Sequence, residues 1–460
     1  MAAGRSGGGV SVSVPLSCFP VPRICGVALP RVRGGVSSRV SWSIMEERPS
    51  PRRRGRGAIA EMVEAAAAQW AVDDVATTAA AAAAAAATTN DHSAASSCHE
   101  EQHEHSSVFQ GVGSEQELLL GIDKEVAAGR LPPHAGEGMK DFYANYRDAV
   151  LHSESETAHK SVVPIMATVL DRILLQFEDP FTFPPYHQSM REPFDYYKFG
   201  QEYIRPLLHF GKSYLGNKEH WDAIENQVQQ GHNVVLFSNH QTEADPAIIA
   251  LLLEGSHPYL AERMTYIAGD RVILDPFCKP FSMGRNLICV HSKKHINDDP
   301  ELVEMKRRAN TRALKELAVL LRSGKQLIWI APSGGRDRPD PVTNEWTPAV
   351  FDPAAVDNMR RLVERGDVPG HMYPMALLSY NIMPPPPKVQ KAIGERRLVG
   401  YHGVGLSVGS EVNFGQEDAH QSVWESVREQ YALLHKAVHG NEGPSASTPA
   451  CSLSQPWLAT

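Results

Sequence analysis

The sequence predicts an α/β protein in which a small N-terminal helical domain precedes a larger domain with a mixed, mainly parallel sheet covered by helices. Two observations support this prediction. Between Ser114 and Phe210, apolar residues recur at helical spacing. Beyond Trp221, short apolar runs alternate with amphipathic stretches, which is the pattern of strands and helices in an α/β fold.

The first 110 residues are predicted to lie outside the fold. Residues 1–60 are rich in Arg and Ser, and no acidic residue precedes Glu46, which is typical of an organelle transit peptide. An ordinary disordered tail is the alternative. Residues 61–110 contain an Ala-rich run and a His-rich polar tract, which we interpret as a low-complexity linker. Because that tract lacks a second Cys at ligand spacing, we predict no metal site and no cofactor.

We assign residues 111–190 to the helical domain. Ser114 and Glu117 form a capping-box pattern at the start of its first helix. The run VVPIMATVLDRILLQF places apolar residues on one helical face. Several prolines between residues 180 and 193 then interrupt the helical pattern, and we place the domain boundary there.

Residues 191–440 contain the predicted sheet. Its strands correspond to the runs NVVLFS, MTYIAG, NLICVHS, QLIWIAP and HMYPMALLS. The segments between them, such as residues 301–324, have the helical period. Ligands of open α/β sheets bind at the carboxyl ends of the strands, so the polar clusters that follow strands are candidate sites. The Ser- and Pro-rich residues 441–460 are predicted to form a disordered tail.

Composition excludes several classes of protein. The net charge of −8 argues against a general nucleic-acid binder. The longest apolar run, AIIALLL, is much shorter than the roughly 20 residues that span a membrane, so a soluble protein is expected. Only Cys278 and Cys289 fall within the predicted fold, which favours a reducing compartment without a disulfide framework.

The first polar cluster, NHQTEADP, follows the strand NVVLFS. Asp245 precedes Pro246, which suits the first turn of a helix, so a helix cap is one interpretation of Asp245. A turn from strand to helix can also bring His240 and Asp245 together. The carboxylate then holds one imidazole nitrogen while the other serves as a general base. Both interpretations remain open for this pair alone.

Two basic clusters follow later strands. Lys294 and His295 lie in CVHSKKHIND, where a solvated basic loop and an anion contact are both open. Arg336 and Arg338 lie in WIAPSGGRDRPD, after two glycines that permit close approach of a ligand. In an extended segment the two arginines can converge on one anion, whereas surface ion pairs with the neighbouring aspartates are the alternative.

The segment GVGLSVGS contains the G-x-S-x-G pattern of a serine-hydrolase nucleophile elbow around Ser407. An elbow requires a strand, a sharp turn and a helix. Here the apolar residues Val404, Leu406 and Val408 continue to alternate with small or polar ones. We therefore predict that Ser407 is a strand residue, and a serine esterase is the alternative.

Four sequence blocks together resemble those of the glycerolipid acyltransferases with an H-x4-D motif: NHQTEAD, GDRV with KPFSMGRNLICVHSKKH, IWIAPSGGRDRPD, and MYPMALLS. Within that superfamily, the resemblance is closest to the soluble plastidial glycerol-3-phosphate acyltransferases of plants, over residues 114–439. One departure from the superfamily is the third block, where the usual E-G-T-R is replaced by Ser333-Gly334-Gly335-Arg336.

The resemblance implies a reaction and a set of site residues. His240 and Asp245 would be the catalytic pair. The phosphate of glycerol 3-phosphate would be held by four side chains: Lys294, His295, Arg336 and Arg338. The acyl group would pass from acyl-(acyl carrier protein), or from acyl-CoA in vitro, to the C1 hydroxyl. The product would be 1-acyl-glycerol 3-phosphate, formed in the chloroplast stroma as the first step of plastid glycerolipid synthesis.

Two further surfaces follow from that reaction. Acyl carrier proteins are acidic, so a basic docking patch is expected, with an ordinary charged helix face as the alternative. Its candidates are Lys306, Arg307, Arg308 and Arg312. An apolar acyl groove could be lined by Phe277, Phe281 and Met283, with core packing as the alternative. No nucleic acid is expected, and transient contact with a membrane surface is compatible with the sequence. A catalytically silent binder of a lipid or phosphometabolite is a further alternative.

Overall fold

The computed structural model describes residues 108–153, 155–292, 296–386, 396–414, 419–440 and 442–458. These residues belong to one compact unit, Thr89–Thr460. The predicted transit peptide, almost all of the predicted linker, and both Lys294 and His295 lie outside the described ranges.

Helices open the fold, as the helical spacing predicts. They are α1 (Glu115–Ala127), α2 (Pro133–Leu151), α3 (Glu156–Glu178) and α4 (Tyr196–Ile204). The predicted capping box is confirmed: the Ser114 hydroxyl accepts a hydrogen bond from the backbone N–H of Glu117. The Glu117 carboxylate in turn accepts one from the N–H of Gly113, so donors at the start of α1 are satisfied.

One mixed sheet follows, and its strands lie in the order β1-β5-β4-β6-β3-β7-β8-β2-β9. Five of the eight strand pairings are parallel, and the pairs β1·β5, β7·β8 and β2·β9 are antiparallel. This confirms the predicted mixed, mainly parallel sheet. The strands are β1 (Tyr186–His187), β2 (Tyr214–Gly216), β3 (Asn233–Ser238), β4 (Thr265–Gly269), β5 (Asn286–Val290), β6 (Leu327–Ile330), β7 (Gly370–Leu378), β8 (Gly405–Val408) and β9 (Leu453–Ser454).

Helices cover both faces of this sheet, which explains why every residue of β3 is buried. Val234 and Leu236 join one apolar cluster, whereas Val235 and Phe237 join the other. The first cluster also contains side chains from α1 to α4 and from α5 (Lys218–Gln229), α6 (Asp245–Leu253), α7 (Pro258–Arg263) and α9 (Lys279–Met283). The short helix α8 (Arg271–Leu274) precedes α9. The second receives α10 (Val303–Ser323), α11 (Pro353–Glu364) and α12 (Ala419–His439).

The domain boundary predicted near residue 190 stays a prediction. The first apolar cluster contains side chains from α1 to α3 as well as from the sheet. Strand β1 also begins at Tyr186, within the segment assigned to the helical domain, and pairs with β5. The helical region and the sheet therefore share a core on one face of the sheet.

The C-terminal segment differs from the predicted disordered tail. Within residues 442–458, β9 adds an edge strand to β2, and the Trp457 indole donates a 2.8 Å hydrogen bond to the carbonyl of Phe210. Cys451, placed outside the fold by the prediction, is buried. A Ser- and Pro-rich composition predicts disorder, but Leu453 pairs with the open edge of β2, and Trp457 packs against Phe210, which precedes that strand.

Candidate active site

The candidate site lies at the carboxyl ends of three neighbouring strands. β3 is flanked by β6 and β7, and all three are parallel. His240 follows β3, Arg336 follows β6, and Ser379 follows β7. The first and third polar clusters of the sequence therefore meet at one edge of the sheet, as open α/β folds require. The described residues do not include the basic pair of the second cluster.

His240 and Asp245 form the pair that the strand-to-helix turn predicts. The Nδ1 atom of His240 lies 2.8 Å from Oδ2 of Asp245. The His240 side chain is 25% exposed, whereas that of Asp245 is fully buried. Because a carboxylate accepts hydrogen bonds, the Nδ1 atom carries the proton and Nε2 is the basic nitrogen of the neutral ring. The imidazole thus combines a fixed Nδ1 proton with a partly exposed ring.

Asp245 is the first residue of α6 rather than its cap, since the preceding Ala244 occupies the N-cap position. Its Oδ2 also accepts a bond from the N–H of Gln241, and its Oδ1 accepts bonds from the N–H and hydroxyl of Thr242 and from the Ser379 hydroxyl, at 2.7–3.1 Å. These four donors fix the carboxylate, and the carboxylate fixes the imidazole. The buried Ser379 was missed, although it is the last residue of the predicted strand run HMYPMALLS.

Asp337 ties the loop after β6 to the loop after β3. Its N–H donates to the carbonyl of His240 at 2.6 Å. Its carboxylate accepts bonds from Asn239 and from the N–H of Ala349, both at 2.9 Å. Burial raises the pKa of Asp337 to about 6. The carboxylate therefore points beneath the His240 loop and does not form the surface ion pair that was the alternative interpretation of this segment.

Arg336 contacts the His240 motif through Glu243, a residue that was not predicted from the sequence. Its Nη1 atom is 3.2 Å from Oε1 of Glu243, and both side chains are mostly buried. Arg338 donates to the backbone carbonyls of Arg336 and Asp337 at 3.1 and 2.9 Å. Gly334, at φ +68°, makes the turn before them in a conformation that favours glycine. In the sequence, Glu243 is marked only by its position within the motif NHQTEAD. Its contact with Arg336 could not be predicted, because that contact depends on which loops the fold brings together.

Ser407 is a strand residue, which confirms the prediction from its alternating neighbours. It lies in β8 and is fully buried. Its hydroxyl donates to Oε1 of Gln430 at 2.7 Å and lies 3.4 Å from Sγ of Cys451. A nucleophile elbow is not formed here, because the chain continues as a strand beside β7 and β2.

We expect Ser407→Ala to retain full acyl-transfer activity. The substitution removes one buried hydrogen bond, so the free energy of unfolding should fall by about 1 kcal/mol. Turnover and denaturant unfolding of the variant and the parent chain check this. Loss of turnover in a folded variant would instead support the esterase hypothesis.

The proposed acyl-groove residues lie in the core. Phe277 and Met283 are 6% and 4% exposed. Phe277 makes edge contacts with Phe142 and Phe177, and Phe281 stacks on Phe199 with ring centroids 4.9 Å apart. These contacts match the core-packing alternative. The basic docking candidates lie on the first half of α10, where Arg307 pairs with Glu304 at 3.1 Å, and their docking role stays a prediction.

Comparison with known proteins identifies the family. A family model described as "Glycerol-3-phosphate acyltransferase N-terminal" matches residues 106–181, and one described as "Acyltransferase" matches residues 222–378. The chain is 58% identical over 365 residues to "Glycerol-3-phosphate acyltransferase, chloroplastic" of Arabidopsis thaliana, covering 77% of this chain and 80% of that protein. The chain belongs to the glycerol-3-phosphate acyltransferase family.

Other members of this family show the same level of similarity. The chloroplastic glycerol-3-phosphate acyltransferase of Spinacia oleracea is 55% identical, with 77% of this chain and 78% of that protein covered. The crystal structure of the 1-acyl-sn-glycerophosphate acyltransferase of Thermotoga maritima aligns over 68% of this chain and 94% of that one. Its identity of 14% and TM-score of 0.31 are too low to inform the site. The resemblance predicted from the four blocks is confirmed, and the chain is an acyltransferase.

No helix within the described ranges is long and apolar enough to cross a membrane. In the same ranges, no group of three or more His, Cys, Asp or Glu side chains is arranged to hold a metal ion.

Proposed function

We propose that this acyltransferase moves a fatty acyl group from an acyl thioester to the C1 hydroxyl of glycerol 3-phosphate, giving 1-acyl-glycerol 3-phosphate. The observation that supports this most directly is the 2.8 Å contact between His240 and the buried Asp245, at the sheet edge where Arg336 also lies. The relatives that share more than half of their aligned residues with this chain bear the name of that activity.

In the proposed mechanism, Nε2 of His240 accepts the proton of the C1 hydroxyl as its oxygen attacks the thioester carbonyl carbon. The tetrahedral intermediate then collapses, the carbon–sulfur bond breaks, and the imidazolium returns the proton to the leaving thiolate. Asp245 stabilises the imidazolium between the two steps. No covalent acyl-enzyme is needed, in agreement with the position of Ser407 inside the sheet.

The acceptor phosphate is proposed to bind four basic side chains, of which the two arginines follow β6 at the same edge of the sheet as His240 and Asp245. Arg336 and Arg338 are the described members of that set, and Lys294 and His295 are the members outside the described ranges. Guanidinium groups suit a phosphate because they donate two parallel, charge-assisted hydrogen bonds. Because Arg336 contacts the loop that holds His240, phosphate bound there would lie within reach of the base.

We expect Arg336→Gln to raise the KM for glycerol 3-phosphate about 10- to 100-fold, since a charged hydrogen bond contributes roughly 1.5–3 kcal/mol. The kcat should change less, because the base is intact. Initial rates over a range of acceptor concentrations test this. Arg360→Gln is the matched control, since Arg360 pairs with Asp357 and Glu364 on α11 and should leave the KM unchanged. An unchanged KM in Arg336→Gln would remove this residue from the acceptor site.

Two further proposals concern the acyl donor and the cellular location of the enzyme. We infer acyl-(acyl carrier protein) as the donor because basic residues at the start of α10 offer a surface for an acidic partner. The chloroplastic names of the relatives support a plastid location, and we propose the stroma. Residues 1–60 would then act as the transit peptide, residues 61–110 as a linker, and residues 111–190 and 191–440 as the two domains.

A further inference from the structure

Glu243 lies between two arginines. Its Oε1 atom is 3.2 Å from Nη1 of Arg336, and its Oε2 atom is 3.0 Å from Nε of Arg397. The guanidinium of Arg397 also donates to Oδ2 of Asp275 at 2.8 Å. The four side chains thus form an alternating chain of charges, from Arg336 through Glu243 and Arg397 to Asp275.

These four charged side chains are largely buried. Side-chain exposure is 12% for Arg336, 16% for Glu243, 8% for Arg397 and 12% for Asp275. Burial opposes ionisation of Glu243, but Arg397 and Arg336 outweigh it and lower the pKa of that carboxyl to about 2. Glu243 is therefore ionised, and it is held by the two guanidinium groups and by the Cys278 thiol, which donates to its Oε2 atom at 3.3 Å.

These four charged side chains belong to four different loops at the carboxyl end of the sheet. Glu243 follows β3, Arg336 follows β6, Arg397 follows β7, and Asp275 follows β4. Arg397 is itself held in place, because its guanidinium lies over the Phe277 ring at 5.6 Å and Oδ1 of Asp275 accepts the N–H of Phe277. Arg397 is thus a fixed anchor on the far side of Glu243 from Arg336.

We propose that Arg397 is a positioning residue for the acceptor site, acting through Glu243 on Arg336. The inference rests on the proposed function, because it takes Arg336 as a ligand of the substrate phosphate. With Arg397 in place, Glu243 divides its charge between two guanidinium groups and holds Arg336 in one orientation. Without Arg397, the buried carboxylate keeps the neutral Cys278 thiol as a donor but must balance its charge on Arg336, where it competes with the phosphate.

The test is the acceptor kinetics of Arg397→Gln in the full chain. We expect the KM for glycerol 3-phosphate to rise about tenfold or more, while kcat at saturating acceptor stays within about threefold of the parent. Arg397→Lys keeps the charge but loses the guanidinium fork, so its KM should fall between those of the parent and Arg397→Gln.

A double-variant cycle separates this role from a merely structural one. The double variant Glu243→Gln/Arg397→Gln lacks the carboxylate that would capture Arg336. Glu243→Gln alone is measured as the second single variant that the cycle requires. The KM of the double variant should return toward the parent value. The loss of the Asp275 partner is the same in both Arg397→Gln variants, so it does not affect this comparison.

Three outcomes would overturn the inference: a parental KM in Arg397→Gln, a double variant no better than the single one, or a fall confined to kcat. If Arg397→Gln does not fold, Arg397→Lys with and without Glu243→Gln decides the same question. Arg336→Gln in the same assay distinguishes the two proposals. A raised KM there with a parental KM in Arg397→Gln rejects only the role of Arg397, whereas a parental KM in Arg336→Gln removes Arg336 from the acceptor site and the basis of the role of Arg397 with it.

Discussion

His240→Ala is expected to lower kcat/KM for acyl transfer by about 10²- to 10⁴-fold, the range over which a positioned general base accelerates proton transfer. The loss should fall on kcat, because the imidazole is proposed to act on the hydroxyl proton rather than to bind the phosphate. The fold should survive, since the His240 side chain is partly exposed and Asp245 keeps its four other hydrogen-bond donors. Steady-state rates and thermal unfolding of the same preparations test both expectations.

His134→Ala is the matched control, because that histidine is exposed in the first turn of α2 and lies outside the proposed site. It should keep the parental rate and the parental unfolding temperature. Imidazole in the buffer should restore part of the turnover of His240→Ala if the missing group is only a base. A folded His240→Ala variant that turns over at the parental rate would contradict the assignment of the base.

Asp245→Asn is expected to have the second largest effect, about 10²- to 10⁴-fold on kcat. An amide nitrogen facing Nδ1 of His240 would donate to it, which moves the ring proton to Nε2 and removes the basic nitrogen. An amide oxygen in that place would instead turn the nitrogen toward Thr242 and Ser379, which are donors themselves. Either arrangement leaves mismatched buried donors, so the free energy of unfolding should fall by about 1–3 kcal/mol.

Ser379→Ala separates the catalytic and structural parts of this prediction. It removes one of the donors to Asp245 but keeps the carboxylate against the imidazole. Its unfolding free energy should fall by about 1 kcal/mol, with a loss of turnover below about tenfold. Denaturant unfolding and kcat, measured for both variants, provide the comparison. If Asp245→Asn lost stability but no more turnover than Ser379→Ala, Asp245 would be a structural residue alone.

The sequence predicts the strands and the contact between His240 and Asp245 because both depend on local patterns. The alternation of apolar runs with helical segments is visible without knowing which strands are neighbours. His240 and Asp245 are joined by one short turn, so their contact follows from spacing within a single motif. In contrast, Ser379 and Asp337 contact this motif only because β7 and β6 flank β3, and strand order is not encoded in any local pattern.

Two features that the local sequence does not determine have the same physical origin. Asp337 lies between two arginines in the sequence, which suggests an ion pair, yet the loop directs its carboxylate to Asn239 and a backbone N–H. The C-terminal segment has a composition typical of disorder, but its two-residue strand pairs with β2, and Trp457 packs against Phe210. In both places a tertiary neighbour, rather than the local sequence, determines the outcome.

Acyl transfer by the full chain from acyl-(acyl carrier protein) to labelled glycerol 3-phosphate tests the central claim most directly, with the position of the acyl group determined in the product. We expect label in 1-acyl-glycerol 3-phosphate from the parent chain and a rate at least about a hundredfold lower from His240→Ala. Folded parent protein that binds glycerol 3-phosphate but yields no ester from either acyl-(acyl carrier protein) or acyl-CoA would contradict this claim.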